Sequence, residues 1–269
     1  MRSGAARNVQ NVEDMEFKVF QDRLMEASGL DLSCYKEKQV QRRLSAALAK
    51  SGHTSLNEYW RTLQKDSAML NELVDFLTIN VSNFFRNVER FNDLQTKILP
   101  ELLATRKTLR IWSAGCSAGQ EPYSIAIILK ELTPLTRHYI LGTDVNKTVL
   151  QIAEDGVYTE DDVKEVKPSL LSKYFIKQED RFILCPSVRQ MVEYKAHNLL
   201  SDPYDTDFDL IVCRNVMIYF TEEAKSKVFK GFYESLSPGG VLFIGGTETL
   251  MSAPLYGFQL ILPFFYRKV

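Results

Sequence analysis

Histidine is scarce in this chain: three among 269 residues, at His53, His138 and His197. None stands at ligand spacing from a cysteine, so a metal centre is not expected. Cys34, Cys116, Cys185 and Cys213 are scattered, with no C-x-x-C pair, which fits reduced thiols in a cytoplasmic protein. Charge of one sign is lacking as well. With 33 Lys+Arg against 34 Asp+Glu the net charge is −1, so no overall field draws nucleic acid or anionic lipid, and any charged partner must be met by a local patch. No apolar run approaches the roughly 20 residues of a membrane span. The opening MRSGAARNVQ lacks the apolar core of a signal peptide, so neither membrane insertion nor export is expected. Internal repeats and low-complexity tracts are absent too.

What is present divides the chain. Residues 1–12 are polar and read as a frayed, disordered tail. From 13 to 80 only helical periodicity is seen: Phe17, Phe20, Leu24 and Ala27 form one stripe ended by Gly29, and a second helix from about Tyr35 to Ser51 turns Val40, Leu44, Ala47 and Leu48 inward. Ser55 with Glu58 makes a capping box for a third helix, and a fourth runs from Ser67. Residues 81–107 read as a linker segment and a helix near 88–104. From 108 to 269 strands and helices alternate, which predicts a doubly wound, mostly parallel α/β sheet. Its strands are expected at 109–113, 138–143, 209–213 and 241–244, with antiparallel edge strands near 258–262 and 264–268. A small antiparallel β subdomain is expected as an insertion at about 172–196, where Phe182-Ile183-Leu184 and the alternation from Val188 to Tyr194 interrupt the pattern.

The stretch LRIWSAGCSAGQEPYS, residues 109–124, is the centre of the α/β part. A short apolar strand runs into a small-residue turn, and Glu121-Pro122 opens an apolar helix, Pro at the first turn costing no intrahelical bond. Strand, glycine turn and helix together are the local form of a nucleotide site, because main-chain N–H groups approach a ligand at the positive end of the helix dipole. A P-loop is excluded for want of Gly-Lys-Ser/Thr, and a nicotinamide dinucleotide site for want of G-x-G-x-x-G. Asp144 closes the next strand about 25–30 residues on, where doubly wound folds hold ribose hydroxyls.

Four clusters then stand together: TINVSNFFR (78–86), AGCSAGQEPYS (114–124), GTDVN (142–146) and CRNVMIYF (213–220). In this order they resemble the CheR family, methyltransferases that esterify glutamate side chains on bacterial chemoreceptors. The turn Ser237-Pro238-Gly239-Gly240 before VLFIGG is similar to that of S-adenosylmethionine enzymes generally. The resemblance implies an S-adenosylmethionine-dependent methyltransferase fold behind an all-helical domain, with S-adenosylhomocysteine as product. It implies a cytoplasmic monomer whose partner is the chemoreceptor cytoplasmic signalling domain. It also implies roles: Asp144 at the ribose, Glu121 near the loop, and Gly115 and Gly119 admitting the backbone. Asn80, Ser82 (a threonine in much of the family) and Arg86 would approach the methionine end. Asn198, Leu199, Arg214 and Asn215 would line the adenine and methionine sides. Tyr219 would face the methyl group and, with Arg86, make the catalytic pair.

Each residue also has a plain structural reading. Asp144 would cap the following helix, Glu121 would be a first-turn carboxylate favoured by the helix dipole, Tyr219 would be a core aromatic, Arg86 a surface ion-pair partner, and Cys116 a space-filling residue. Phe84 and Phe85 read as packing. The second helix is basic, and Lys38, Arg42 and Arg43 form either a docking face for an acidic receptor helix or an ordinary solvated face. Aromatic interleaving is missing there, so nucleic acid is not expected. Residues 175–197 contain no glycine, which favours an enzyme that works without gripping a receptor tail. Two other readings stay open: a methyltransferase of another substrate, and a cofactor-sensing scaffold without turnover.

Overall fold

The structure, a computed structural model, describes residues 2–78, 82–246, 250 and 253–269, with side chains from Met15 onward. Two compact units are formed, Met1–Ile79 with Tyr219–Ala224, and Asn80–Ile218 with Lys225–Val269.

In the first unit, α1 (Arg2–Ser28), α2 (Glu37–Ser51), α3 (Leu56–Leu63) and α4 (Ser67–Leu77) follow one another, with a 3-10 turn at Leu32–Cys34. Helix α1 starts well before the residue-13 boundary expected from its apolar stripe; residues 5–12 contain no proline to stop a helix. Phe20, Leu24, Leu44, Trp60, Leu63 and Leu73 are among the buried side chains that close its core. The capping box at α3 is displaced by one residue. Ser55 Oγ accepts from the Glu58 N–H at 3.2 Å, but Glu58 Oε2 reaches back to the Thr54 N–H at 3.0 Å. Helix α4 starts at Ser67, and Asp66 caps it, accepting from the N–H groups of Ala68 and Met69.

The second unit begins with α5 (Val88–Asp93), a π turn at Leu94–Ile98 and α6 (Leu99–Thr105). The expected single helix is thus interrupted, and the wider turn lets Phe91, Leu94, Ile98, Leu99 and Leu102 all face the core. Strand β1 (Arg110–Ala114) leads to α7 (Gln120–Leu132), then β2 (Tyr139–Asp144), α8 (Lys147–Asp155) and β3 (Val157–Tyr158). Two short helices, α9 (Glu160–Val163) and α10 (Pro168–Tyr174), precede β4 (Phe175–Gln178) and β5 (Arg181–Leu184). After α11 (Pro186–Arg189) come β6 (Val192–Ala196), β7 (Phe208–Cys213), α12 (Glu222–Ser235), β8 (Leu236–Ile244), β9 (Phe258–Leu262) and β10 (Phe265–Lys268). The main sheet has the order β6-β2-β1-β7-β8-β10-β9, parallel except for β10 and β9.

The inserted subdomain needs a correction. Strands β3, β5 and β4 do form a small antiparallel sheet, and it draws on residue 157 onward, ahead of the expected start at 172. The alternating segment up to Tyr194, however, is not part of it. Strand β6 pairs parallel with β2, Gly142 opposite Tyr194, as an edge of the main sheet. Alternation reports a strand with one buried face, whichever partner it takes.

From β1 the chain moves outward to β2 and β6, then returns to β7 on the other side. The order reverses between β1 and β7, and in such sheets ligands bind outside the carboxyl ends of the strands at that point. At the opposite end, His138 joins the entry of β2 to β1. Its Nδ1 accepts from the Leu109 N–H at 3.1 Å, so the ring proton is on Nε2, which faces Thr133 Oγ1 at 2.9 Å. That hydroxyl gives its own proton to Leu129 O. Burial holds the His138 pKa below the ordinary 6.5. The unfolded chain therefore takes up a proton more readily, so this contribution to stability is complete above about pH 6.5 and is lost as pH falls below it. Melting temperature followed down through this range is expected to decline, and the decline to be shallower in His138→Gln. Equal slopes for the two proteins would refute the assignment.

Candidate functional site

The loop after β1 is fixed by main-chain bonds before any ligand is considered. Gly115 N–H and Cys116 N–H both donate to Thr143 O, at 2.8 and 2.9 Å, tying the turn to the end of β2. Gly115 has φ +78 and Gly119 φ +84, the left-handed region that favours glycine. Space forbids a larger residue as well. A Cβ on Gly115 would lie 2.4 Å from Val216 Cγ2, and one on Gly119 would lie 2.5 Å from the Tyr194 hydroxyl and 2.8 Å from Ala153 Cβ. Protein packing alone thus requires both glycines. Ser117, Asn215, Phe85 and Asn87 also have positive φ, between +51 and +64, and all four lie in or beside the expected site segments. Strained backbone of this kind gathers where a scaffold over-determines its geometry.

Ser117 N–H donates to Asp144 Oδ2 at 2.9 Å, and Asn146 N–H to Oδ1 at 3.0 Å. The carboxylate is buried, and burial raises its pKa, opposed by main-chain N–H donors from Asn146, Ser117 and Val145. A carboxylate offers about four acceptor positions, so a further donor can be accommodated. Helix capping does not account for Asp144, since Asn146 caps α8, accepting from Thr148 and Val149. The same edge continues to β6, where His197 N–H donates to Asp144 O at 2.9 Å. Asn198 and Leu199 follow directly. Asn198 Oδ1 accepts from the Leu200 N–H, and the carbonyl of the buried Leu199 accepts from the Tyr204 hydroxyl.

Glu121 lies in the first turn of α7, buried, accepting from Ser113 Oγ at 2.8 Å. Arg214 approaches its other oxygen at 3.5 Å. Shorter bonds fix that guanidinium: Nη2 donates to Arg86 O at 2.8 Å and to Asn87 Oδ1 at 2.7 Å. Its face lies 4.8 Å from the Phe243 ring and 5.3 Å from Phe91. Arg214 is therefore a buried bracket between α7, the segment before α5 and the end of β7, a more central place than the lining role expected of it. Ser82 and Arg86 are half-buried; Asn80 lies outside the described residues. Phe84 packs edge-on against Tyr158 and Phe175, and Phe85 N–H donates to Ser124 Oγ, so both phenylalanines are packing residues as expected. The Cys116 thiol is fully buried and its pKa is pushed up by burial, with the charges of Asp144 and Glu121 adding to it. It fills space.

Gly115, Gly119, Glu121, Asp144, Asn198, Leu199, Arg214 and Asn215 are thus brought to the carboxyl ends of β1, β2, β6 and β7 within one unit. Tyr219 is counted with the helical unit, its carbonyl accepting from the Lys36 N–H at 2.8 Å. Lys38 and Arg42 are exposed on α2. Arg43 is a correction: it is half-buried, donates to Phe76 O, and lies 4.9 Å from the Phe76 ring, so it belongs largely to the helical unit itself. Burial lowers its pKa. Sequence reasoning missed Ser113, Asn87 and Tyr194. Only Tyr194 left a trace, through Gly142: an isolated strand glycine marks a close approach, and a Cβ there would lie 2.6 Å from the Tyr194 ring.

A clamped carboxylate at the end of β2, beside a glycine turn that opens a helix at the switch point, is the arrangement of the nucleotide-binding class of α/β domains. The family described as CheR methyltransferase, SAM binding domain, matches residues 80–259, and CheR methyltransferase, all-alpha domain, matches residues 15–78. A chemotaxis protein methyltransferase of Listeria monocytogenes is 43% identical over 242 residues, covering 89% of this chain and 92% of the relative. One from Borreliella burgdorferi is 37% identical, with 89% of each chain covered, and chemotaxis protein methyltransferase 1 of Pseudomonas aeruginosa is 35% identical, covering 89% and 92%. The chain belongs to the CheR methyltransferase family and is an S-adenosylmethionine-dependent methyltransferase.

Proposed function

We propose that this enzyme methylates glutamate side chains on the cytoplasmic signalling domain of chemoreceptors, working in the cytoplasm. The observation that carries the proposal is the match of both family domains, in order, across 15–259, to relatives named for chemotaxis. S-adenosylmethionine supplies a methyl carbon on a sulfonium; as the acceptor carboxylate oxygen bonds to that carbon, the carbon–sulfur bond breaks and its electron pair stays on sulfur, giving S-adenosylhomocysteine and a methyl ester. A glutamate of ordinary pKa, about 4.3, is already ionised at neutral pH, so no residue here has to remove a proton. The chain's work is alignment, which is worth up to roughly 7–11 kcal/mol.

In this proposal Asp144, held by Ser117 and Asn146, accepts from the ribose. The residues present suit that group: an ionisable, buried acceptor with a position to spare stands beside the turn. Asn198 and Leu199 border the base, and Glu121, Arg214 and Asn215 set the loop and the methionine side, together with Asn80, Ser82 and Arg86. Tyr219 orients the incoming carboxylate, and the exposed Lys38 and Arg42 meet an acidic receptor helix.

The test uses radiolabelled S-adenosylmethionine with membranes from a chemotactic bacterium. A labelled receptor band that loses its label in mild alkali is expected, as an ester requires. An alkali-stable label would mean another acceptor. Tyr219→Phe is expected to slow turnover by about tenfold or more while cofactor affinity stays level, since the hydroxyl acts on the transition state; wild-type turnover would remove Tyr219 from the catalytic pair.

A further inference from the structure

We infer that the turn Cys34–Lys36 of the helical unit is a positioning element for Tyr219, acting through main-chain pairing with residues 219–221. The inference rests on the role proposed for Tyr219. Tyr219 ends a single 3-10 turn, Met217–Tyr219, whose Met217 is buried. Its main chain and the two residues after it join a one-rung antiparallel pairing. Lys36 N–H donates to Tyr219 O at 2.8 Å, Thr221 N–H donates to Cys34 O at 2.9 Å, and Tyr35 bridges Phe220. The two rings of that rung meet edge to face with centroids 5.1 Å apart, and Phe220 is buried.

The turn is itself well anchored. Asp31 caps it, Oδ1 accepting from the Ser33 N–H at 2.9 Å, and Leu32 is buried in the helical core. Helix α2 starts one residue beyond Lys36 and carries Lys38 and Arg42. The main chain at Tyr219 is therefore held by the same unit that bears the basic helix, six residues beyond the end of β7 at Cys213. A misplacement of about 1 Å in an aligning group can cost on the order of a hundredfold in rate, so a pairing of this kind bears directly on turnover.

Lys36 offers an unusually clean probe. Its φ of −61 and the extended conformation of Tyr35 (φ −106, ψ 155) are those that proline and a residue before proline adopt. Lys36→Pro thus deletes the donor to Tyr219 O with no demand on the backbone, and Lys36→Ala removes the charge but keeps the donor. Lys36→Pro is expected to lower kcat by about tenfold or more, with cofactor Kd and receptor KM within about twofold of wild type, while Lys36→Ala keeps its kcat. In a Tyr219→Phe background Lys36→Pro should add little, because both changes act on one hydroxyl. Wild-type kcat in Lys36→Pro, an equal loss in Lys36→Ala, or full additivity with Tyr219→Phe would each overturn the inference. Should Tyr219→Phe itself turn over normally, it is the tyrosine's proposed role that falls. If Lys36→Pro melts well below wild type, Tyr35→Leu supplies the second probe. It loosens the rung without touching the donor and should lower kcat with the same unchanged Kd; no loss of kcat there would refute the positioning.

Discussion

Asp144→Ala is expected to weaken S-adenosylmethionine binding by at least about tenfold, from the one charge-assisted hydrogen bond, of roughly 1.5–3 kcal/mol, that its remaining acceptor position can make. The same substitution leaves the Ser117 and Asn146 N–H groups without the acceptor they share, so the turn loosens and further affinity is lost. Asp144→Asn keeps the shape and one acceptor and should fall between the two. A pH dependence separates the charge from the shape. Burial raises the pKa of this carboxylate, and hydroxyl donors favour its ionised form. Affinity is then flat at neutral pH and falls, as pH is lowered, sooner than an ordinary aspartate would make it fall. Calorimetry over this range should show that fall in the wild type and none in Asp144→Asn. Unchanged affinity in Asp144→Ala would remove the nucleoside from this edge of the sheet.

The second large effect is on stability. Arg214→Met is expected to cost about 3 kcal/mol, the low end for removing one partner of a buried ion pair. The low end applies because Glu121 stands at 3.5 Å and keeps its bond from Ser113. Methionine would still fill the space between Phe91 and Phe243, so the loss belongs to the donors: Arg86 O and Asn87 Oδ1 lose theirs, and Glu121 loses its cation. Arg214→Met combined with Glu121→Gln should recover part of the deficit, since the uncompensated charge is then gone. Urea unfolding measures both variants. A single variant as stable as the wild type would show that the bracket contributes nothing to the fold.

Much of this was legible from the chain alone, for a physical reason. The 109–124 loop and Asp144 announce themselves because a strand, a glycine turn and a helix are local patterns, and the next strand lies one crossover away. The antiparallel edges β9 and β10 were readable for the same reason. Partner choice was not readable. The alternation ending at Tyr194 says that one face is buried, yet the partner is β2, some 50 residues earlier in the chain by the offset of Gly142 from Tyr194. Arg43 looked like its neighbour Arg42 because charge patterning does not say which side of α2 meets Phe76. Asn87 owes its importance to Arg214, 127 positions on, and Ser113 owes its own to Glu121, eight positions on but brought back to it only by the fold of the turn.

The pairing of residues 34–36 with 219–221 also bears on how the protein is made. Synthesis is vectorial, and domains near the amino terminus generally fold first as the polypeptide emerges. Here the four opening helices can assemble early, but one edge of their unit stays unmatched until Thr221 has left the ribosome, when most of the chain has already been translated.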